Sequence, residues 1–592
     1  MTEKNKAGIM ITLGHNSSAL FFDGINKPIG YEEERLNGIK SFSGFPKLSL
    51  DKILKETSKK LLKNSTIFIS HWFDVFNDCD FPEKYYDKVY IDNLVNKYNI
   101  KLVLLSENFT HHDAHMYSSL AFLNDAKGVS DDTKENMHFI VADGFGNNQE
   151  VLSVYYRGRN SSQPKLVDRL YGYNNSIGLL YQYATSFCGM KENQDEYKFL
   201  GYESKIQSVA DLETIEMLKL SAVVFSSYYV DSMNTSNSRP TSLSFSHIDI
   251  GDLNIAKESM YDLFNAVYSD YLKFIHLNGY ASDIENKNDL NESKRIVIGF
   301  YIQHVVEQVL SSLVDKYNIE NVCLSGGCFY NVKLNNSILN KVNNICIIPV
   351  AGDQGAAIGM YEKFIGGFKF FDLCFGKRFN DLMPKIELDL FSYKSVYFCD
   401  NEDDYIKTVS DLLNENFIVN VLSDSMEFGP RALCNTSTLA KPTKENVDYI
   451  NKLNKRNTVM PMAPVMLRSN ASALFGIKNK LKNIIKSEEY MIVTLDFSDD
   501  AVKSGNYSGV MHKYPTEDIY SGRPQIVNDS DTRPIRRILN NVDSLCLINT
   551  SFNTHGTPIL YSVNDATRDF RKQSFLDNES RNKLVILHDK NR

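Results

Sequence analysis

The sequence predicts an α/β protein of two domains, and three observations carry that expectation. Apolar strand-like runs recur, each ending in a turn of small residues that opens the next element. A plan of strand hairpin, strand, glycine turn and helix occurs twice before about residue 365, and a fresh strand and helix alternation starts after a break at 366–377. A chain of 592 residues also exceeds what one hydrophobic core serves. The expected domains are therefore 1–365 and 366–592.

Composition narrows the function classes. A hydrophobic content of 43 % and a charged content of 23 % are those of an ordinary soluble chain. The formal charge of −8 argues against a broad phosphate-binding surface but leaves room for a local basic groove. The nine cysteines are scattered singly, odd in number and without a CxxC pair, so neither a zinc ribbon nor a disulfide framework is indicated. Residues 1–6 are polar, and no unbroken apolar run of about 18 residues offers a bilayer span, so a cytoplasmic location is expected, with no membrane partner.

In the first domain, strands at 8–13 and 19–22 are joined by Gly14, His15, Asn16, Ser17 and Ser18, a turn of small residues whose N–H groups suit an oxyanion. A plain hairpin turn is the alternative. Histidine is an odd choice for simple turning, and its free pKa lies near neutral, which makes His15 the candidate acid/base. The stretch THHDAHMYSSLAF, 110–122, starts with a capping threonine and reads as a helix. His111 and His115, at i and i+4, project from one face, a spacing that one metal ion can use. A third ligand must come from elsewhere; a core-capping or surface histidine pair is the alternative.

A strand at 138–142 runs into Asp143, Gly144, Phe145 and Gly146, where backbone can approach a phosphate closely. Residues 176–185 look helical, 196–201 place Lys198 before a glycine turn, and 226–293 read as a polar insertion or lid. Helical periodicity over 296–317 puts Val305, Val309, Leu310 and Leu313 in the core and assigns Gln303 and Glu307 to the solvent face. A strand at 321–324 then opens Gly326 and Gly327, with Asn331 and Asn335 at i and i+4, a place for a nucleotide on the backbone. After a strand at 345–350 comes AGDQGAAIGM, in which Asp353 is the candidate third metal ligand, a capping aspartate being the alternative. This doubled plan is the organisation of an actin-like ATPase fold, with the nucleotide between two similar lobes.

The second domain carries EFGPRALCNTSTLA at 427–440, with Arg431 after a glycine turn; Arg456 and Arg523 follow. Arginine grips phosphate or carboxylate bidentately, and a surface salt bridge is the alternative for each one singly. A strand at 544–548 is expected to end in the polar cluster Asn549, Thr550, Ser551 and Asn553, completing a second anion site.

Taken in order, GHNSS, EERLNGIKSFSGFP, HHDAH, DGFG, SGGCFYNVKLN, AGDQGAAIG, EFGPRAL, RPQIV and NTSFNTHGTPI resemble carbamoyltransferases of the nodulation and antibiotic-tailoring type, from about residue 9 to about residue 570. The resemblance implies an actin-like first domain similar to the tRNA-modification protein TsaD and a YrdC-like second domain, as in threonylcarbamoyl-adenylate synthases. It implies an enzyme that makes carbamoyl-adenylate from carbamoyl phosphate and ATP (with Mg2+), then passes the carbamoyl group to a hydroxyl of a small molecule, releasing AMP. His111, His115 and Asp353 would hold a divalent metal, with iron(II) expected, and His15 would take the acceptor's proton. Asp143, Gly144, Gly146, Lys198, Gly326, Gly327, Asn331 and Asn335 would line the nucleotide. Arg431, Arg456, Arg523, Asn549, Thr550, Ser551 and Asn553 would bind carbamoyl phosphate and ATP phosphates.

The chain departs from that pattern where the usual GPRALGNRS reads GPRALCNTS, so that Cys434 replaces glycine and Thr436 arginine. LGYES stands for the usual MGLAPYG, and Val459, Met460 and Pro461 for Phe-Arg-Pro. Other readings are a hydroxymethyl pyrimidine of a nucleotide or of DNA as acceptor, a tRNA-modifying role, and a nucleotide-dependent switch or scaffold of actin-like fold. A homodimer is the base-rate expectation for assembly.

Overall fold

The computed structural model describes residues 6–63, 65–70, 86–104, 109–172, 175–235, 291–377, 395–423, 425–456, 462–476, 481–515 and 517–587. Two five-stranded sheets with one shared topology make up its first half. The first contains β1 (Gly8–Thr12), β2 (Ser18–Phe22), β3 (Ile29–Glu32), β4 (Thr66–Ser70) and β5 (Lys101–Leu104). The second contains β6 (Met137–Ala142), β7 (Glu150–Arg157), β8 (Lys165–Tyr171), β9 (Asn321–Ser325) and β10 (Asn344–Ile347). Their orders are β3-β2-β1-β4-β5 and β8-β7-β6-β9-β10. In each, the first three strands form antiparallel hairpins and the last two join in parallel. Two antiparallel hairpins followed by parallel crossovers, repeated once, is the doubled lobe of the actin-like fold. The central strands GIMIT and MHFIVA are apolar almost throughout because helices cover the faces of both sheets.

Two of those helices matter for function. The His111–Asp125 helix starts at a capping box, in which Thr110 Oγ1 accepts from Asp113 N at 3.2 Å and Asp113 Oδ2 accepts from Thr110 N at 3.0 Å. The Ala356–Phe364 helix packs against it so closely that a Cβ on Gly359 would lie 1.8 Å from the Ala114 carbonyl oxygen. Small residues along AAIG therefore bring the two backbones together, and the turn before the second helix reaches the first turn of the other.

The second half is built on a seven-stranded mixed sheet. Its strands are β11 (Val396–Cys399), β12 (Ile418–Leu422), β13 (Thr436–Ala440), β14 (Ala463–Leu467), β15 (Gln525–Val527), β16 (Leu547–Ser551) and β17 (Asn582–Leu587), in the order β11-β17-β12-β13-β16-β14-β15. Both halves are thus α/β, as expected. They are tied together: Ile345 forms a parallel bridge with Ile484, and Ser487 Oγ accepts from Ile347 N at 2.7 Å. Lys486 pairs with Asp125 at 2.6 Å while lying over the rings of Phe122 and Phe370.

Several local expectations change. Gln303 is fully buried, and its amide donates to Glu307 Oε1 at 2.6 Å and accepts from Asn331 Nδ2 at 2.8 Å, so neither Gln303 nor Glu307 lies on an open solvent face. Their Glu292–Lys316 helix is long and apolar enough to cross a membrane by length and composition, but 67 % of its most apolar window is buried, the mark of a core helix. No glycine turn follows Lys198: the Glu196–Phe199 helix continues into 3-10 turns over Leu200–Ser208, with Gly201 inside them. Of the expected lid at 226–293, the start ends the Leu212–Thr235 helix and the last two residues begin the next one, while 236–290 lie outside the described residues. β16 is displaced toward the C-terminus from its expected position, so Asn549, Thr550 and Ser551 are strand residues rather than a strand-end loop. Val459, Met460 and Pro461 lie outside the described residues.

Candidate functional site

Four polar side chains converge where the two actin-like lobes meet. His111 and His115 come from the first turns of their helix, Asp143 from the end of β6, and Asp353 from the turn before the Ala356–Phe364 helix. His111 Nε2 lies 3.0 Å from His115 Nε2, 3.1 Å from Asp143 Oδ2 and 3.3 Å from Asp353 Oδ1. His115 Nε2 is 3.3 Å and 3.7 Å from the same two oxygens. One ligand atom from each residue falls within 4.8 Å of all the others. Burial pushes His111 down, but Asp353 and Asp143 outweigh it and lift its pKa to about 10. Burial raises the Asp143 carboxyl, and the two histidines more than reverse this, holding it well below the usual carboxylate range. Two imidazole nitrogens and two carboxylates around one point form a centre that a divalent cation fits, because it neutralises both acids and uses both lone pairs.

The structure thus brings His111, His115 and Asp353, the three expected metal ligands, together with Asp143, which was expected at the nucleotide. Asp143 Oδ1 accepts from Gly327 N at 3.0 Å, which fixes the carboxylate and leaves Oδ2 on the histidines. Behind the centre, Glu150 Oε1 accepts from His112 N at 2.9 Å and Arg169 pairs with Glu150 and Asp113 at 2.9 Å and 3.0 Å, so a buried ionic network holds the helix start.

The expected nucleotide residues divide. A Cβ at Gly326 would lie 2.2 Å from Ala142 O, at Gly327 2.8 Å from Asp143 Oδ1, and at Gly146 2.8 Å from Glu150 Oε1. Protein packing alone explains those three glycines. At Gly144 a Cβ would meet Leu179 Cδ2 at an ordinary 3.7 Å, so packing does not account for this glycine. Asn331 caps the Val332–Leu339 helix and bonds Gln303. Asn335 is fully buried, and its amide donates to the carbonyls of Phe329 and Ile492 at 2.8 Å each, a tie between the two halves rather than a ligand contact. His15 is half-buried on a two-residue strand, Gly14–His15, paired with Ser43–Gly44, and has no side-chain bond to the four-residue centre.

In the second half, Arg456 is gathered with the expected polar cluster. Its Nη1 donates to Thr550 Oγ1 at 2.6 Å, and its Nη2 donates to Ser551 Oγ at 3.0 Å and Asn553 Oδ1 at 3.3 Å. Asn549 instead braces the sheet, donating to Ala432 O at 2.9 Å and Gln525 Oε1 at 2.6 Å. Arg431, Arg456 and Arg523 are partly buried, and none pairs with a carboxylate among the described residues. Burial lowers the pKa of each below the ordinary arginine range, and Arg431 lowers that of Arg523 further. The loop that presents Arg431 is anchored twice. Glu32 Oε2 accepts from Gly429 N at 3.1 Å and from Arg35 Nε at 3.0 Å, while Glu32 Oε1 accepts from Gln354, next to Asp353, at 3.3 Å. Buried Glu427 accepts from the N–H groups of Leu433, Asn435 and Thr436 at 2.8–3.0 Å and from Thr436 Oγ1 at 2.9 Å. Thr436 thus serves this carboxylate with a hydroxyl. Lys198 is not beside the expected nucleotide residues of the first half: its Nζ donates to His555 Nε2 at 2.9 Å, in the loop after β16.

Cys434, where the resembling sequences have glycine, has a φ of +74°. That backbone strains any side chain and β-branched ones most. Cys434→Gly is expected to be more stable than Cys434→Val by about 2 kcal/mol, read from the urea midpoints of the two variants.

A family model for the N-terminus of carbamoyltransferases matches residues 5–361, and one for their C-terminus matches residues 410–580. An uncharacterised protein of Methanocaldococcus jannaschii is 26 % identical over 586 residues, 95 % of this chain and 96 % of that one. The nodulation protein NolO of Bradyrhizobium diazoefficiens is 28 % identical over 264 residues, 42 % of this chain and 46 % of that one. Among solved structures, HypF of T. kodakarensis superposes with a TM-score of 0.28 at 10 % identity, covering 61 % of this chain and 47 % of that one.

Proposed function

This chain belongs to the carbamoyltransferase family, and on that premise we propose that it is an O-carbamoyltransferase working through carbamoyl-adenylate, with a small-molecule hydroxyl as acceptor. The observation that carries this reading is the set Arg431, Arg456 and Arg523, three partly buried cations of the second half without a carboxylate partner among the described residues. Desolvating unpaired guanidiniums is costly unless an anion completes them.

In the reaction we infer, water first cleaves carbamoyl phosphate to carbamate and inorganic phosphate. A carbamate oxygen then bonds to the α-phosphorus of Mg-ATP, the bond from that phosphorus to the bridging oxygen breaks, and pyrophosphate leaves with the electron pair. Arg431 and Arg523 offset the charge on the reacting phosphates, and Arg456, already oriented by Thr550, Ser551 and Asn553, presents its remaining N–H groups. The acceptor hydroxyl next attacks the carbamoyl carbon, losing its proton to His15, and AMP departs. His111, His115, Asp143 and Asp353 would hold iron(II), which when bound supplies positive charge to the leaving phosphate. Gly144, with nothing within 3.7 Å of its missing side chain, lets backbone approach the nucleotide.

The test is incubation of the purified chain with carbamoyl phosphate, Mg-ATP and no acceptor. Pyrophosphate release is expected, falling at least about 100-fold in Arg523→Ala. No release from the unaltered, metal-supplied chain would remove the adenylation step.

A further inference from the structure

We propose that Glu32 is a positioning residue shared by both halves, which holds the turn carrying Asp353 and the loop carrying Arg431 at a fixed separation. Glu32 is the last residue of β3 and is 4 % exposed. Its two oxygens serve different partners. Oε1 accepts from Gln354 Nε2, one residue after Asp353, at 3.3 Å, and Oε2 accepts from Gly429 N, two residues before Arg431, at 3.1 Å. Arg35, also buried, donates from Nε to Glu32 Oε2 at 3.0 Å and from Nη2 to the Gly429 carbonyl. Glu32 and Arg35 therefore grip both the N–H and the C=O of one loop residue, and the loop cannot move without breaking a buried ion pair.

Further contacts stiffen the link. Gly429 has a φ of +112°, and a Cβ there would meet Val350 Cγ2 at 3.4 Å, so the loop also lies on Val350, three residues before Asp353. The turn from Val350 to Gly355 is itself closed: Gly355 N donates to Gly352 O at 2.9 Å, Gly352 N donates to Tyr330 Oη at 2.9 Å, and a Cβ on Gly355 would lie 2.0 Å from Val350 O. A shift of Gln354 is thus passed on to Asp353, and groups behind a metal ligand set its orientation. Glu32→Asp shortens the side chain by one methylene, roughly 1.5 Å. It withdraws both oxygens from partners that already stand at 3.1 Å and 3.3 Å, beyond hydrogen-bonding reach. The proposal rests on the reading of Arg431 as an anion ligand and of the histidine and aspartate centre as a metal site.

The experiment reads two properties of the full-length chain. The visible absorption of the cobalt(II)-loaded chain reports ligand geometry, and calorimetric titration of the metal-free chain with orthophosphate reports Arg431, with Arg431→Met defining its share. Glu32→Asp is expected to shift the cobalt spectrum and to weaken phosphate binding about 10-fold, as Arg431→Met does, with no further loss when the two are combined. The single arms separate the effects. Gln354→Leu should shift the spectrum and leave phosphate affinity within about twofold, whereas Arg35→Lys, which keeps the pair with Glu32 but cannot also reach Gly429 O, should weaken phosphate about threefold or more and leave the spectrum unchanged. These two variants decide the question if Glu32→Asp does not fold. An unshifted spectrum in Gln354→Leu, or losses from Arg35→Lys and Arg431→Met that add, would overturn the positioning role alone. An unaltered chain that gives no cobalt spectrum or takes up no phosphate overturns the reading of that site and the positioning role with it.

Discussion

Asp143→Asn is expected to weaken divalent-metal binding by about 100-fold, as much as Asp353→Asn does. The two oxygens take equivalent positions on the histidine pair: Asp143 Oδ2 is 3.1 Å from His111 Nε2, and Asp353 Oδ1 is 3.3 Å from it. Asparagine keeps the acceptor that Gly327 N–H uses, so the loop after β6 stays where it is while the ligand charge is lost. A hundredfold is about 2.8 kcal/mol, the size expected when one of two anionic ligands is neutralised in a buried site. Competition of iron(II) or cobalt(II) against a chromophoric chelator measures it directly. Full affinity in Asp143→Asn, beside a loss in Asp353→Asn, would restrict the metal set to His111, His115 and Asp353 and return Asp143 to the nucleotide.

What was legible in the sequence followed distance along the chain. His111 and His115 are four residues apart on a capped helix, so their common direction is a local property. The glycine turns that end β6 and β9 were equally local, yet their reason was not: Gly326 and Gly327 are required by the approach of two strand ends that lie far apart in sequence. Asp143 was visible as a candidate residue, but strand-end aspartates serve phosphates and metals alike, and only the meeting of three segments sets it beside His111, His115 and Asp353. Lys198 and His555 could not have been joined by any pattern, being more than 350 residues apart. Gln303 and Glu307 were misplaced because helical periodicity records polarity, whereas Asn331 and Tyr181 supply them with a polar interior. The displaced β16 has the same origin: its polar residues look like a loop, but their backbone pairs with β13, and Arg456 satisfies the Thr550 and Ser551 hydroxyls. Cys434 shows the converse, a position whose backbone asks for glycine and whose side chain is tolerated at a cost.

Gly359→Ala tests the packing that brings His111, His115, Asp143 and Asp353 together. In an ordinary helix interior this change stabilises by about 1 kcal/mol; here it is expected to destabilise by about 3 kcal/mol. The added methyl would lie 1.8 Å from Ala114 O, 2.8 Å from Ala114 C and 3.0 Å from Ser118 N. All three atoms are backbone of the His111–Asp125 helix, so no side-chain rotation relieves the overlap, and the two helices must part. Asp353 stands at the entrance to the Gly359 helix, and the histidines stand on the other, so parting them lengthens the contacts from Asp353 to His111 and His115. Metal affinity should therefore fall together with the melting temperature, although residue 359 touches neither ligand. A second variant on the same helix separates the two effects: Phe364→Ala, at a partly exposed ring stacked on Phe68, should lower stability while leaving metal affinity within about threefold. A melting temperature that rises in Gly359→Ala would mean that the helices do not meet at this position, and the juxtaposition of Asp353 with the histidine pair would lose its structural basis.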